Sequence, residues 1–516
     1  MVGNAPIGDA PDLERQPLLR SNQDSARPST GVQARSHIPS GLTRQTRSPE
    51  RRQRHESIQK CWRIGILAIL LALLGYIIMG VYDLFNRGHI NGSPFKHLVG
   101  SCDNVMPISQ MEFEERRLNL SRVLVDHKAS AYIAEPGTNM RYFTNIRWSQ
   151  SERPFLLVVQ ARRDKDKSDQ VLTRTTIVAP AFEASRARQK IMPGSNMSIR
   201  TWEEGESAYK AVRQVLDTPL VDSDSGDEVD YRAEGVKPKP EDEQIYIDPD
   251  MRQFVSYGLA TALESSTRKV MIANRAVSLL RQQKTAHEIE ILRCVSQTTV
   301  NVIRAVKGHI QVGIHESKVQ SLLTEAYSEA GLEYEDGGSL VLFGKNAALP
   351  HGSGNDTELE KGMMVLIDSG ARLHGYLSDI TRTFWVERGP SKEMNEELDK
   401  VWDIVKQAQN ASLHAIHPGA ACSSIDKAAR NLIDSKGYGG WFTHRLGHGL
   451  GMDGHEEPYL NIGNTETELR PGMVFTNEPG IYVEGSYGIR LEDVILVTET
   501  GYEILSGDLA KSAEEP

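Results

Sequence analysis

Val365 to Phe384 reads VLIDSGARLHGYLSDITRTF, and its reading decides the fold. Two apolar runs flank a glycine-bearing middle, and each carries one aspartate, Asp368 and Asp379. A hairpin turning at Leu373–His374 sets these aspartates directly opposite one another, with Cβ atoms about 4.5–5.5 Å apart. Two carboxylates that close resist joint ionisation unless a cation joins them. Taken alone, the stretch also reads as an ordinary hairpin with solvent-facing acids.

A second stretch repeats the pattern. Glu478 to Glu492 reads EPGIYVEGSYGIRLE, and a three-residue turn over Glu484–Gly485–Ser486 brings Glu478 opposite Glu492. Between the two lies THRLGHGLGMDGHEEP, with His444, His448 and His455 among glycines. Paired carboxylates with imidazole describe a site for two divalent cations, which carboxylates bridge at roughly 3.5–4 Å. The oxygen-rich donor set suits Mn²⁺, with Zn²⁺ or Co²⁺ as alternatives. Gly447, Gly449, Gly451 and Gly454 are expected to admit close backbone approach around His448.

These segments, with LRQQKTAHEIEILR and NAALPHG upstream, resemble the pita-bread metallopeptidases of the aminopeptidase P and prolidase (Xaa-Pro dipeptidase) group. NMRYFTNIRW and ERPFLLVV, from Asn139 and Glu152, resemble that family's N-terminal domain. The resemblance implies an α/β creatinase/prolidase-like domain over 109–280 and an α+β pita-bread catalytic domain over 281–508. It implies Asp368 as bidentate ligand of one metal, Asp379 and Glu492 as bridges, and His448 with Glu478 on the other metal. His351, His444 and His455 would hold substrate and stabilise the intermediate, with Arg490 beside the site. Glu478 would move the proton, assisted by His351 and His455.

The implied activity is removal of an N-terminal residue from peptides with proline second, in the manner of aminopeptidase P. A dipeptidase of the prolidase type is the alternative. A non-catalytic pita-bread binding protein is the alternative of another class, but such members usually lose ligands. Creatinase-like hydrolases lack the full metal set. Methionine aminopeptidases have a longer gap between the last two glutamates. The loop Glu456–Leu469 holds no arginine or lysine. Glu456 and Glu457, if turned inward, would repel a dipeptide's free carboxylate, at a cost on the order of 1–3 kcal/mol. Longer peptides are therefore expected as substrates.

The 516-residue chain is long enough for two domains and extensions. Its net charge of −10 argues against nucleic acid as a partner. Residues 1–60 are rich in Arg, Ser, Pro and Gln and predict a disordered basic tail. Ile64 to Tyr82, IGILAILLALLGYIIMGVY, runs nineteen residues without a charge and predicts a transmembrane signal anchor. Basic residues on its N-terminal side predict a cytosolic tail and a lumenal or extracellular remainder. The sequons at Asn91, Asn119, Asn196, Asn355 and Asn410 all follow this run. Glu14 to Leu19, ERQPLL, resembles an acidic dileucine signal for a sorting adaptor, which favours a vacuole or lysosome membrane over the plasma membrane.

A linker over 83–108 is expected before the first domain. There Met111–Leu124 and Glu203–Leu216 read as helices, and Ala131–Ala134, Phe155–Gln160 and Thr175–Val178 as strands. The family's N-terminal domain often dimerises, so a homodimer is expected. Arg162–Gln170 and Val221–Glu243 read as polar surface loops. Arg281–Val306 reads as one long helix with His287 exposed on it. Cys61, Cys102, Cys294 and Cys422 form no metal-binding spacing and read as free buried thiols, a disulfide at Cys102 being open.

Overall fold

The computed structural model describes residues 92–164, 170–220, 243–265, 267–334 and 338–516. The tail expected to be disordered, the dileucine, the apolar run 64–82, the sequon at Asn91 and most of both polar loops lie outside these residues. Among the described residues, no helix is long and apolar enough to cross a membrane. Residues 91–516 form one compact unit.

The expected linker is held down at its described end. Phe95, Leu98, Cys102 and Ile108 are buried in the main core. Cys102 is joined by a disulfide to Cys294, which corrects the free-thiol reading for this pair, while Cys422 is a free buried thiol.

The first half is an α/β layer. Its helices are α1 (Gln110–Asp126), α2 (Thr138–Thr144), α3 (Ala184–Lys190), α4 (Ala208–Asp217) and α5 (Gln253–Leu263). They alternate with β1 (Ala129–Ala134), β2 (Leu156–Arg163), β3 (Val171–Pro180), β4 (Met197–Trp202), β5 (Glu243–Ile247) and β6 (Arg268–Ile272). The strands form one sheet in the order β4-β3-β2-β1-β5-β6. β1 and β2 are buried along nearly their whole length, because helices cover both faces. Ser109 caps α1 by accepting from the Glu112 N–H. α4 starts at Ala208 and not at Glu203, since Glu203–Glu206 closes a turn first.

Arg281–Val306 is not one helix. α6 (Arg275–Gln282) stops, and α7 (Ala286–Lys307) restarts behind a complete capping box of Thr285 and Glu288. His287 is half-buried, not exposed. Its Nδ1 lies 3.2 Å from Glu112 Oε2 and its Nε2 2.8 Å from the Met106 carbonyl, so it pins the end of the linker.

The second half adds α8 (Glu316–Glu329), then β7 (Leu340–Phe343), β8 (Met364–Ser369), β9 (Arg372–Leu373), β10 (Tyr376–Leu377) and β11 (Ile380–Trp385). α9 (Lys392–His414) and α10 (Cys422–Ser435) follow. The chain ends in β12 (Gly447–Gly449), β13 (Glu456–Leu460), β14 (Val474–Asn477), β15 (Gly480–Val483), β16 (Tyr487–Arg490), β17 (Asp493–Val497) and β18 (Tyr502–Ile504). The sheets β11-β8-β7 and β13-β12-β14-β17-β18 carry the candidate site between them.

Candidate metal centre

The aspartate hairpin turns one residue later than its sequence suggested. Leu373 pairs with Tyr376, so His374 and Gly375 are the turn, with φ of 51° and 96°. Two positive-φ residues in a two-residue loop match the twist of the flanking strands. Asp368 therefore faces Thr381, not Asp379. The slip is two rungs. Parity survives it, and both aspartates stay on one face.

The glutamate hairpin turns where expected. Val483 pairs with Tyr487 across Gly485, and Ser486 N–H donates to the Val483 carbonyl. Beyond the tip the same register resumes in β14 and β17, where Asn477 faces Asp493. Between the two ladders, Glu478 and Glu492 leave the pairing. Glu478 N–H donates to the Leu446 carbonyl at 2.9 Å and Glu492 N–H to the Thr381 carbonyl at 3.1 Å. The break docks one glutamate on the histidine segment and the other on the aspartate hairpin.

Glycine allows this approach. A Cβ at Gly447 would lie 1.9 Å from the Thr476 carbonyl oxygen, and one at Gly449 2.3 Å from that of Glu457. Gly451 meets the Glu456 side chain, but nothing lies within 4 Å of a Cβ at Gly454. Beneath the site, fully buried Arg382 bonds Asp493 at 2.8 Å and the Glu492 carbonyl at 2.7 Å, tying both hairpins at their base.

Three overlapping groups each bring their donor atoms within 4.8 Å: Asp368, Asp379 and Glu492; His448, Glu478 and Glu492; Asp379, His448 and His455. His448 Nε2 lies 3.4 Å from Glu478 and 3.6 Å from Asp379. Its Nδ1 donates to the Gly449 carbonyl at 3.1 Å, which leaves the Nε2 lone pair facing the carboxylates. Burial, then the neighbouring His455, pushes the His448 imidazole down to about 3, so it is neutral and able to ligate.

The carboxylates are strained electrostatically as they stand. Burial, then Asp368 and Glu478, pushes Asp379 well above the usual carboxylate range. Burial and Asp379 do the same to Glu492. Burial raises Glu478 to about 7, partly offset by Arg490. One guanidinium serves four acids: Arg490 contacts Asp368 Oδ2 and reaches Glu492 at 3.8 Å. Four crowded acids with a neutral imidazole fit a pair of divalent cations, which would restore ionisation to all of them.

Around them runs a directional chain. Arg490 Nη1 donates to Tyr482 Oη at 3.0 Å, and Tyr482 lies 2.9 Å from His444 Nε2. His444 Nδ1 donates to the Arg445 carbonyl, so its Nε2 accepts from the tyrosine. Burial and Arg490 push His444 down to about 4. Tyr482 was invisible as a site residue in sequence, where it reads as a strand aromatic. His351 and His455 stand at the exposed mouth. The Pro350 carbonyl, beside His351, accepts from Arg490 at 3.4 Å.

Two features bear on substrate length. Glu456 does not turn inward: it pairs with Lys284 and Arg281, both at 2.6 Å. Glu457 accepts from Gln282 at 2.8 Å. Arg445 lies over the Tyr459 ring at 5.0 Å, and its buried Nε has no hydrogen-bond partner. Tyr459 pairs with His448, so its side chain shares the face that carries the imidazole.

Residues 290–499 match the model of metallopeptidase family M24. An uncharacterized peptidase of Schizosaccharomyces pombe is 34% identical over 470 residues, covering 90% of this chain and 97% of the relative. A recombinant prolidase from Thermococcus sibiricus superposes with a TM-score of 0.60 at 26% identity, over 78% of this chain and 98% of that one. An X-Pro aminopeptidase from Thermotoga maritima does so with 0.57 at 25% identity, over 75% and 98%. The fold and the acid-rich cluster define a metallopeptidase. The chain belongs to metallopeptidase family M24.

Proposed function

We propose that the chain is an exopeptidase that hydrolyses the Xaa-Pro bond at a peptide's N-terminus. The observation that carries this is the convergence of Asp368, Asp379, His448, Glu478 and Glu492 into one buried cluster. In this reading Asp368, Asp379 and Glu492 would hold one cation, and Asp379, Glu492, His448 and Glu478 the other. Mn²⁺ suits the oxygen-rich set, with Zn²⁺ or Co²⁺ as alternatives. Cations held there would supply Lewis acidity and an acidic water.

The chain's own residues then do the following. Glu478, ionised when cations are bound beside it, takes the water proton and passes it to the leaving nitrogen. His455, near both His448 and Asp379, donates to the oxyanion as it forms. His351 at the mouth and His444 within the Tyr482 chain orient the peptide. Arg490 holds Asp368 in place.

Arg445 revises the expected substrate length. With Glu456 neutralised and, beside the His448 face, an Arg445 guanidinium that forms no ion pair among the described residues, the site accepts the carboxylate of an Xaa-Pro dipeptide. The test compares Ala-Pro with Ala-Pro-Ala-Ala. We expect kcat/KM for Ala-Pro to equal or exceed that for the tetrapeptide, and Arg445→Ala to lower it about 10- to 100-fold for the dipeptide alone. An equal loss on both substrates would refute the carboxylate role. Failure to cleave either, in protein supplied with metal, would refute Xaa-Pro hydrolysis.

We further propose a type II membrane topology through residues 64–82, with the catalytic half lumenal or extracellular and sorting by Glu14–Leu19 to a vacuole or lysosome membrane. The Cys102–Cys294 disulfide supports an oxidising compartment. Protease added to intact vesicles is expected to remove the tail and spare the catalytic half, and the reverse pattern would invert the topology. Homodimerisation is proposed through the sheet edge, where β6 and α5 expose Phe254, Tyr257, Met271 and Ile272. A sedimenting monomer at micromolar concentration would rule it out.

A further inference from the structure

A second chemically distinctive place lies at the far end of the aspartate hairpin. A cavity of about 270 Å³ opens between α1, α2 and the His374–Gly375 turn. Its walls include Arg116, Arg141, Arg147, Lys190 and His374, against one acid, Glu333. Arg116 is balanced, since it bonds Glu112 at 3.0 Å and lies 3.5 Å from Glu288. His374 donates to the Val105 carbonyl at 2.9 Å. Glu333 is taken by Arg147 at 3.4 Å, in a pair more than half exposed on both sides.

Arg141 is different. Its Nε and Nη2 are buried and have no hydrogen-bond partner. No acid among the described residues forms an ion pair with it. After burial, Arg147 comes first in weakening its hold on the proton and Arg372 adds to it, with Glu333 acting between them in the opposite sense. A guanidinium with two of its nitrogens kept out of water without a partner is costly, and folds satisfy such groups with an acceptor from outside when none comes from within. The guanidinium lies hard against the turn. A Cβ on Gly375 would sit 1.9 Å from Arg141 Nη2. Gly375 thus serves both the positive φ of the turn and the space the arginine needs.

We propose that this cavity binds a compact oxyanion, a phosphate or carboxylate group held by Arg141 with Arg147 and with Lys190 at the rim. Arginine's rigid fork matches either group bidentately. The volume lies near the lower end of the range for small-molecule sites, which limits the ligand to a small one. The occupant would touch the turn that joins the strands of Asp368 and Asp379. It would also touch Met452, whose carbonyl accepts from Arg372 at 2.9 Å.

The full chain is titrated with inorganic phosphate and, separately, acetate, at ionic strength held constant with chloride, and unfolding is followed by heat. One of the two anions is expected to raise the midpoint saturably, and which one does so separates a phosphate-type from a carboxylate-type ligand. Arg141→Gln is expected to weaken that response tenfold or more, and to leave the anion-free protein at least as stable as the parent, because a partly buried charge without an ion pair is gone. Asp379→Asn, which alters only the metal cluster, is expected to keep the response. A response unchanged by Arg141→Gln, or lost in Asp379→Asn, would overturn the proposal, as would no response to either anion. None of these outcomes depends on peptidase activity.

Discussion

The two ends of the aspartate hairpin are electrostatic opposites. At one end four carboxylates crowd a single guanidinium, that of Arg490. At the other a guanidinium, that of Arg141, forms no ion pair with a carboxylate among the described residues, and two of its nitrogens have no hydrogen-bond partner. Each end is charge-incomplete, and in each the fold forces the imbalance. The ladder break at Glu478 and Glu492 drives the acids together, and the glycine at 375 admits the arginine against the turn. A stable domain does not assemble like charges without a compensating partner. The cluster therefore implies cations, and the cavity an anion. The comparison also separates structural from functional charge: Arg382 with Asp493 is fully buried yet ion-paired, and it reads as scaffold.

The largest effect expected from disturbing this comparison is at the acid end. Asp379→Asn or Glu492→Gln removes a carboxylate shared by both halves of the cluster. We expect kcat/KM to fall by about 10³-fold or more, on the order of 4 kcal/mol of transition-state stabilisation. A loss under tenfold in steady-state kinetics would contradict a shared role.

The pH dependence of the metal-free protein is next. Glu478 stays protonated in the folded state up to about 7, and burial lifts Asp379 and Glu492 as well, whereas the unfolded acids ionise near 4. Across that gap the folded state binds more protons, so stability falls as pH rises. His444 and His448, lowered to about 4 and 3, act in the opposite sense below about 6.5 and drop out above it. Metal-free protein should thus lose stability from about pH 6.5 upward, by as much as about 1.4 kcal/mol per pH unit for each carboxyl still protonated. Calorimetry with and without divalent cation should show the gap between the two forms widening over the same range. A gap that narrows would reverse the sign argued here.

The smallest effect is at the turn. Gly375→Ala forces a side chain into positive φ and onto Arg141, and should cost about 1–3 kcal/mol in urea unfolding. A neutral result would mean that the arginine moves aside freely.

Much of the acid end was legible because face matters more than rung. The glutamate hairpin announced its register through Gly485 at a three-residue turn. The aspartate hairpin was misplaced by two rungs because His374 occupies a positive φ that sequence rarely grants a non-glycine residue. Even so, a slip of two keeps each side chain on its side, and the carboxylates still converge. The break between α6 and α7 had a readable signal, the Thr285–Glu288 capping box, which the run of helical periodicity masked. Tyr482 and Arg445 had none: their roles come from a hydrogen-bond direction and a ring contact that exist only after folding. The cations around the cavity are scattered from Arg116 to His374, and no local pattern connects them.

Metal content measured against activity tests the central claim most directly. The full chain is stripped with chelator, then reloaded stepwise with Mn²⁺ while bound metal per chain and Xaa-Pro hydrolysis are read together. The account predicts no activity after stripping and full recovery only as occupancy approaches two ions per chain, with Asp379→Asn never reaching it. Full activity in the stripped protein, or at one ion per chain, would contradict it.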